Sequence, residues 1–351
     1  MRGRLLLAGV VGVLLLGIIA GESSRVHAFA NGPGAAASGA CDRDCLNGFV
    51  DRYLDAVVAH DPSRLTVTKS VKFTEDGQRL ELGDGFWRTG TERGTYKFYM
   101  DDPVAGQVVF FGTMREAGTP VSLVLRLKIE DKKIAEIETI VVREGMNPAR
   151  STETGAEAFE KMGGPDPLFL AIVPPAERVS RDELAQTANK YFSGMQMNDG
   201  KGDYSFFADD CSRVENGMQA TRGRDTMASN SSQGNSYGAV QGCKAQFQTG
   251  LLHFVTRIRD RRFVVLDTEH GVALAFIFFD HAAGNTRTFQ TPDGKTVTAG
   301  PTNPWTWEMA EAFKVEKGQI RRIQAIFHRC PYGMGSGWSN WQDAMSDKAR
   351  W

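Results

Sequence analysis

The sequence predicts an α+β fold laid down twice in one chain. Its 351 residues exceed the usual size of a single domain. Each half opens with an amphipathic helix and continues into extended stretches, and a seventeen-residue segment late in the first half returns late in the second.

Composition sets the outer limits. Hydrophobic residues make up 41% and charged residues 24%, an ordinary globular balance. The formal net charge of −1 gives no general field for holding nucleic acid phosphates or an anionic membrane surface. Neither is expected as a partner.

Residues 1–28 read as a signal peptide. Arg2 and Arg4 precede the apolar run from Leu5 to Ala20, and Val26-His27-Ala28 ends in a small-residue cleavage pattern. Cleavage near Ala28 or Ala30 predicts an exported protein, secreted or periplasmic, with no membrane attachment afterwards. Removing residues 1–28 takes away Arg2, Arg4, Arg25 and Glu22, moving the formal charge from −1 to −3. Residues 29–40 are small and Gly-rich and read as a flexible spacer.

The first domain is expected over 41–150. Leu46, Phe49, Val50, Tyr53, Leu54, Val57 and Val58 recur at helical spacing until His60-Asp61-Pro62 stops them. Ser70–Thr74 leads into the turn Glu75-Asp76-Gly77, followed by extended stretches at 107–114, 120–129 and 134–143. A linker is placed at 151–179, with a short helix over 156–162. The second domain is expected over 180–342, with a long insertion and an aromatic tail. Its helix carries Leu184, Thr187, Ala188, Tyr191, Phe192 and Met195, and Glu215-Asn216-Gly217 echoes the earlier acidic turn.

The repeat itself is LKIEDKKIAEIETIVVR at 127–143 against FKVEKGQIRRIQAIFHR at 313–329, a constant offset of 186. The helices align through Tyr53 and Tyr191 at an offset of 138, so the second copy holds 48 extra residues. These are placed in the Ser/Asn/Gly-rich loop 221–241 and in a hairpin at 282–304. The run Val272–Phe279 is apolar on both faces, which predicts packing against another domain or subunit.

Five cysteines in an exported chain permit disulfides and leave at least one thiol unpaired. Cys211 with Cys243 is the preferred pair, closing the long loop. Cys41 and Cys45 lie about 6 Å apart along a helix axis, poorly aimed for a bridge.

A helix carrying a Tyr, a strand ending in an acidic turn, and a sheet closing on the K-[IV]-E-x-x-x-I pattern resemble the nuclear transport factor 2 superfamily. Glu311-Ala312-Phe313-Lys314-Val315 and Gly318–Ala325 are similar to the last two strands of its ketosteroid isomerase and SnoaL-type members. That resemblance implies two cone-shaped domains, each a curved, mostly antiparallel sheet wrapped on N-terminal helices, arranged as an internal pseudo-dimer. It also implies an isomerase, dehydratase or lyase acting without cofactor on a small apolar molecule. Tyr191 falls on the oxyanion-hole Tyr, Glu311 on the strand acid, and the base position on Glu215 or Asn216 depending on a one-residue gap. In the first copy Tyr53 and Asp76 fall on the Tyr and base positions, while Leu125 replaces the strand acid. The broken pattern leaves a non-catalytic binding protein for an apolar ligand or a protein partner as the alternative.

Read without the family, Glu311 is the ionisable member of an alternating face made with Trp305, Trp307, Met309, Phe313 and Val315. Burial there raises a carboxyl pKa and suits it to donate a proton. The plainer reading pairs Glu311 with Arg257 or Arg322, and gives Tyr191 and Tyr53 ordinary core roles. His253 is retained as a proton carrier, whereas His253, His281 and His328 show no ligand spacing and no metal is expected. Tyr332, Trp338 and Trp341 either cap a pocket or pin the tail. Trp87, in a Gly-flanked aromatic stretch, lines or closes the first cone. No dinucleotide, phosphate-loop or nucleophile-elbow motif occurs, so no cofactor is implied.

Overall fold

The computed structural model describes residues 41–143, 154–222, 240–290, 294 and 296–351. The signal segment, the spacer, residues 144–153 and most of the 221–241 loop lie outside the described residues. The described residues fall in one compact unit.

Each half has an N-terminal helix laid on a six-stranded sheet. Helix α1 (Arg43–Val58) starts at Asp42, whose side chain accepts the Cys45 amide, and buries Leu46, Phe49, Val50, Tyr53, Leu54 and Val57. The first sheet comprises β1 (Val67–Glu75), β2 (Gln78–Arg79), β3 (Gly90–Asp102), β4 (Gln107–Glu116), β5 (Thr119–Glu130) and β6 (Lys133–Val142). Its order is β2-β1-β6-β5-β4-β3, antiparallel except for the β1–β6 pair. Register shifts place extra residues in β1, β3 and β6, the bulges that curve it.

Helices α2 (Gly155–Met162) and α3 (Pro167–Leu170) precede α4 (Arg181–Met195), capped by Ser180 and burying Leu184, Thr187, Ala188, Tyr191, Phe192 and Met195. The short α5 spans Cys243–Gln248. The second sheet holds β7 (Phe207–Glu215), β8 (Met218–Gln219), β9 (Arg257–Asp267), β10 (Val272–His281), β13 (Trp305–Glu316) and β14 (Gln319–Cys330). A separate hairpin pairs β11 (Arg287–Gln290) with β12 (Thr296–Ala299). The order β8-β7-β14-β13-β10-β9 repeats the first sheet strand for strand.

The register makes the duplication exact to the residue. Phe73 faces Ile137 and Arg213 faces Ile323; Gln107 faces Lys128 and Val272 faces Lys314. The offset between copies therefore steps from 140 at β1/β7 to 165 at β4/β10 and 186 at β5/β13. Extra residues fall between β8 and β9 and in the β11–β12 hairpin, the two places expected. Strands β3 and β9 escape a reading of the sequence because charged residues in both, Glu92 and Arg93 or Arg257, Arg259 and Arg261, break the apolar alternation.

The two sheets pack face to face. Val109, Phe111, Val124 and Ile140 from one meet Val265, Leu274, Phe276 and Ile326 from the other, with Phe159 and Phe169 of the intervening helices filling between them. The double-sided apolar run of β10 belongs to this contact. Ion pairs cross it reciprocally. Arg43 of α1 reaches Asp267 of β9 at 2.8 Å, and Arg181 of α4 reaches Asp102 of β3 at 2.8 Å. These four residues are counterparts under the same offsets, so the contact is self-complementary in the manner of a two-fold dimer.

Two corrections concern the ends. Cys41 and Cys45 are joined, with Cα atoms 5.2 Å apart. Cys41 precedes the N-cap and is not helical, so the helix geometry assumed from sequence does not apply to it. The chain beyond 342 remains on the second half: Arg350 bridges Arg262 of β9, and the Trp351 indole donates to Asp182. Earlier in the tail, the Trp338 indole donates to Thr74 at 2.8 Å while Lys72 and Arg126 stand over its ring, so Trp338 pins the tail to the first sheet.

Candidate functional site

A polar cluster is buried between α4 and the inner face of the second sheet. Tyr191, on the third turn of α4, packs edge-on against Phe313, Phe192 and Phe207 and tilted on Phe247. Glu311 lies on β13 opposite Ala325 and Ala275, whose small side chains leave its carboxyl facing the phenol. Both Tyr191 and Glu311 are 0% exposed. Met309, Phe313 and Val315 share the face of Glu311, with Trp307 at its edge, as the alternation predicts.

Strand β7 supplies two more members. Arg213 and Glu215, two residues apart and so on one face, form an ion pair at 2.8 Å. Arg213 is buried, while the Glu215 side chain keeps 19% of its surface exposed. The second Arg213 terminal nitrogen, Nη2, donates to Gln246 Oε1 at 2.7 Å. Gln246 is held there by α5, which the Cys211–Cys243 disulfide ties to β7 across a Cα separation of 5.7 Å. The pairing expected for these two cysteines is the one formed, and it braces the cluster.

Five polar atoms of this cluster are buried with no hydrogen-bond partner: Tyr191 Oη, Arg213 Nε and Nη1, and both carboxyl oxygens of Glu311. They face one another: the Tyr191 hydroxyl interacts with both Glu311 and Arg213, more loosely than an aligned hydrogen bond. Such groups are rare in folded proteins, and each calls for a physical explanation. Burial pushes Glu311 up to about 8, against the pull of the Arg213 charge, so the acid is largely neutral near pH 7. Burial also lifts the Tyr191 phenol well above its ordinary value, with Arg213 opposing the shift. Burial works to lower Arg213, but Glu215, Tyr191 and Glu311 together outweigh it and keep the guanidinium firmly protonated.

The first half shows what the same scaffold looks like without this cluster. Phe73 stands at the position of Arg213 and Leu125 at that of Glu311. The Tyr53 hydroxyl accepts the Trp87 indole N–H at 2.9 Å. Glu75, the counterpart of Glu215, accepts the Phe86 amide at 2.7 Å and pairs with Arg143 at 2.9 Å. Every one of these polar groups is satisfied, and Trp87 is a buried partner of Tyr53 rather than the wall of a cavity.

The remaining sequence candidates take other places. Asn216 is buried and bridges β14, accepting the Phe327 amide at 2.9 Å and donating to the Phe327 carbonyl at 2.8 Å. With its side chain so engaged it is a structural clamp, and the acid at the turn is Glu215. Asp76, its counterpart, accepts the Val141 amide and pairs with Arg143. His253 lies in a 3-10 turn at 251–254 with its ring nitrogens on the carbonyls of Gly250 and Asn285, so neither is aimed at the cluster. Trp305 stacks on His281 at 3.7 Å, Trp307 packs on Phe327, and Tyr332 is exposed beyond β14. Arg257 pairs with Asp280, and Arg322 with Asp166 and Asp210, so neither neutralises Glu311. The nearby cation is Arg213, which the sequence reading missed; aligning β7 on β1 would have shown an Arg in place of Phe73.

Among the described residues two other groupings bring three metal-type ligand atoms within 4.8 Å, Asp76–Glu308–His328 and Asp267–Glu269–His270. Folding assembles the first, whereas the second lies within four consecutive residues starting at the last residue of β9. Each is already joined to an arginine, Arg143 or Arg43. A cleft of about 430 Å³ opens beside the end of α4, lined by Lys190, Gly194, Asn198, Tyr204 and Phe206, and does not include Tyr191 or Glu311.

Comparison with known proteins bears on the second half. A family described as a domain of unknown function (DUF8021) matches residues 177–327. No curated protein matches the chain. Among solved structures, AclR from Streptomyces galilaeus, provisionally assigned as a hydroxylase, is 12% identical; the match covers 29% of this chain and 81% of that one, with a TM-score of 0.24.

Proposed function

We propose that the second half is a cofactor-independent proton-transfer site for a small molecule, acting as an isomerase, dehydratase or lyase. The proposal takes both halves as cones of the ketosteroid isomerase and SnoaL type, the first serving as internal structural partner. The observation that carries it is the set of unpartnered polar atoms on Tyr191, Arg213 and Glu311, concentrated in the one half where Phe73 and Leu125 are replaced.

A substrate oxygen between Tyr191 and Glu311 meets two O–H donors in a site walled by phenylalanines. Donors fixed in advance in a dry site stabilise charge developing on that oxygen more than water does. Glu215, partly exposed and paired with Arg213, is the carboxylate placed to take up a proton and return it elsewhere. Two carboxyls in different surroundings, one enclosed and one paired with Arg213, can play opposite parts, as in ketosteroid isomerase, where an apolar site keeps one acid neutral to donate a hydrogen bond. The two disulfides and the reading of residues 1–28 favour export to an oxidising compartment.

The test is deuterium incorporation next to the carbonyl of a panel of small ketones in heavy water, followed by NMR. Wild-type protein is expected to catalyse exchange, and Glu311→Leu and Glu215→Gln to abolish it. Exchange unchanged in both variants overturns the reading. Complete burial of Tyr191 and Glu311 favours a second reading, a non-catalytic binder that encloses its ligand. Under it, a small molecule co-purifies and Glu311→Gln retains it.

A further inference from the structure

We propose that the ligand carries a carboxylate and that Arg213 is the residue that receives it. This rests on the second half being a ligand site, but not on its being catalytic.

Arg213 has no structural reason to be a cation. Its counterpart Phe73 faces the equivalent residue of the neighbouring strand, so the position accepts an aromatic side chain without disturbing the sheet. Neutralising Glu215 does not require it either, because Glu75 holds the same place in the first half with a backbone amide and Arg143, the residue just past the end of β6. Burying a guanidinium costs free energy unless each of its donors is matched. Here Nη2 is fixed by Gln246, Nε touches Glu215 without hydrogen-bond alignment, and Nη1 has no partner.

The unpartnered atoms around it define what is missing. Tyr191 Oη and the carboxyl of Glu311 are likewise without partners, and the Arg213 guanidinium carbon lies 5.9 Å from the Tyr191 ring centroid. A group bound at Nη1 must accept hydrogen bonds from a guanidinium. A carboxylate does so with two oxygens, and charge-assisted bonds to arginine are the strongest of this kind. A neutral amide offers one acceptor and brings two donors of its own to a site already rich in them. Glu215 stands at the partly exposed side of Arg213, where water screens its charge, while Nη1 is left without a hydrogen-bond partner.

Binding of matched probes tests this by calorimetry on the mature protein: benzoate against benzamide, and hexanoate against hexanamide. Wild-type protein is expected to bind the acid of each pair at least about tenfold more tightly than its amide. Arg213→Phe, which restores the first half's residue, is expected to abolish that preference. Arg213→Lys keeps the charge without the planar fork, so it weakens binding but retains the preference for the acid, and covers the case in which the Phe variant does not fold. Equal binding of acid and amide, an unchanged preference in both variants, or no binding of either probe by wild type up to about 10 mM, overturns the proposal. The two readings separate on the wild-type protein: an acid-over-amide preference without ketone exchange overturns the catalytic reading alone, and exchange without that preference overturns this proposal alone.

Discussion

Glu311 and Leu125 occupy one position in two superposable sheets: Glu311 faces Ala325 across β13 and β14 where Leu125 faces Thr139 across β5 and β6. The first half therefore supplies a natural control for the second, and several outcomes can be forecast by exchanging residues between them.

Glu311→Leu is expected to flatten the pH dependence of stability. Burial raises this carboxyl from 4.5 to about 8. Between those values the folded protein holds a proton that the unfolded chain has released, so stability is highest below the lower value, falls as pH rises, and levels off above about 8. A single such group gives a slope of at most about 1.4 kcal/mol per pH unit. Urea unfolding across this range, on wild type and variant, measures the difference; identical slopes would show that the carboxyl does not titrate in a dry site.

The two tyrosines should respond oppositely to loss of their hydroxyls. Tyr191→Phe removes an oxygen with no hydrogen-bond partner and is expected to leave stability unchanged or slightly raised. Tyr53→Phe strands the buried Trp87 indole N–H and should cost about 1–3 kcal/mol. Paired denaturation midpoints give the answer directly.

Asn216→Ala is expected to weaken the fold without touching the chemistry. It deletes both bonds to the Phe327 backbone and places Ala at a positive φ of 44°. A loss of roughly 2 kcal/mol with ketone exchange preserved agrees with a clamp. Exchange abolished in a protein of intact stability would return Asn216 to the catalytic list.

Removing either inter-sheet carboxylate should destabilise the whole molecule rather than one half. Asp102→Ala leaves Arg181 half-buried without its carboxylate, whereas Asp267→Ala leaves Arg43 with Glu269 at 2.8 Å. A cost of about 2 kcal/mol is expected for Asp102 and less for Asp267, discounted from the buried-pair figure because both arginines keep some solvent. If the contact between sheets holds the halves as one unit, calorimetry shows a single unfolding transition in wild type and variants alike.

Patterns along the chain were enough to establish the duplication, both amphipathic helices, the acidic turns, and the isolated acid on an apolar face of β13. These are local signals: periodicity reports burial because each side chain's direction follows from its place in a helix or strand. Cys211 with Cys243 was legible too, since a disulfide across a long loop leaves its mark in the chain's own layout. Which charge lies beside Glu311 was settled by folding alone. Arg213 comes from a strand far back along the chain and enters the cluster through the parallel pairing of β7 with β14. Packing likewise turned Asn216, Trp87 and His253 into structural residues, because whether a polar group is spent or spare depends on partners that no spacing along the chain records.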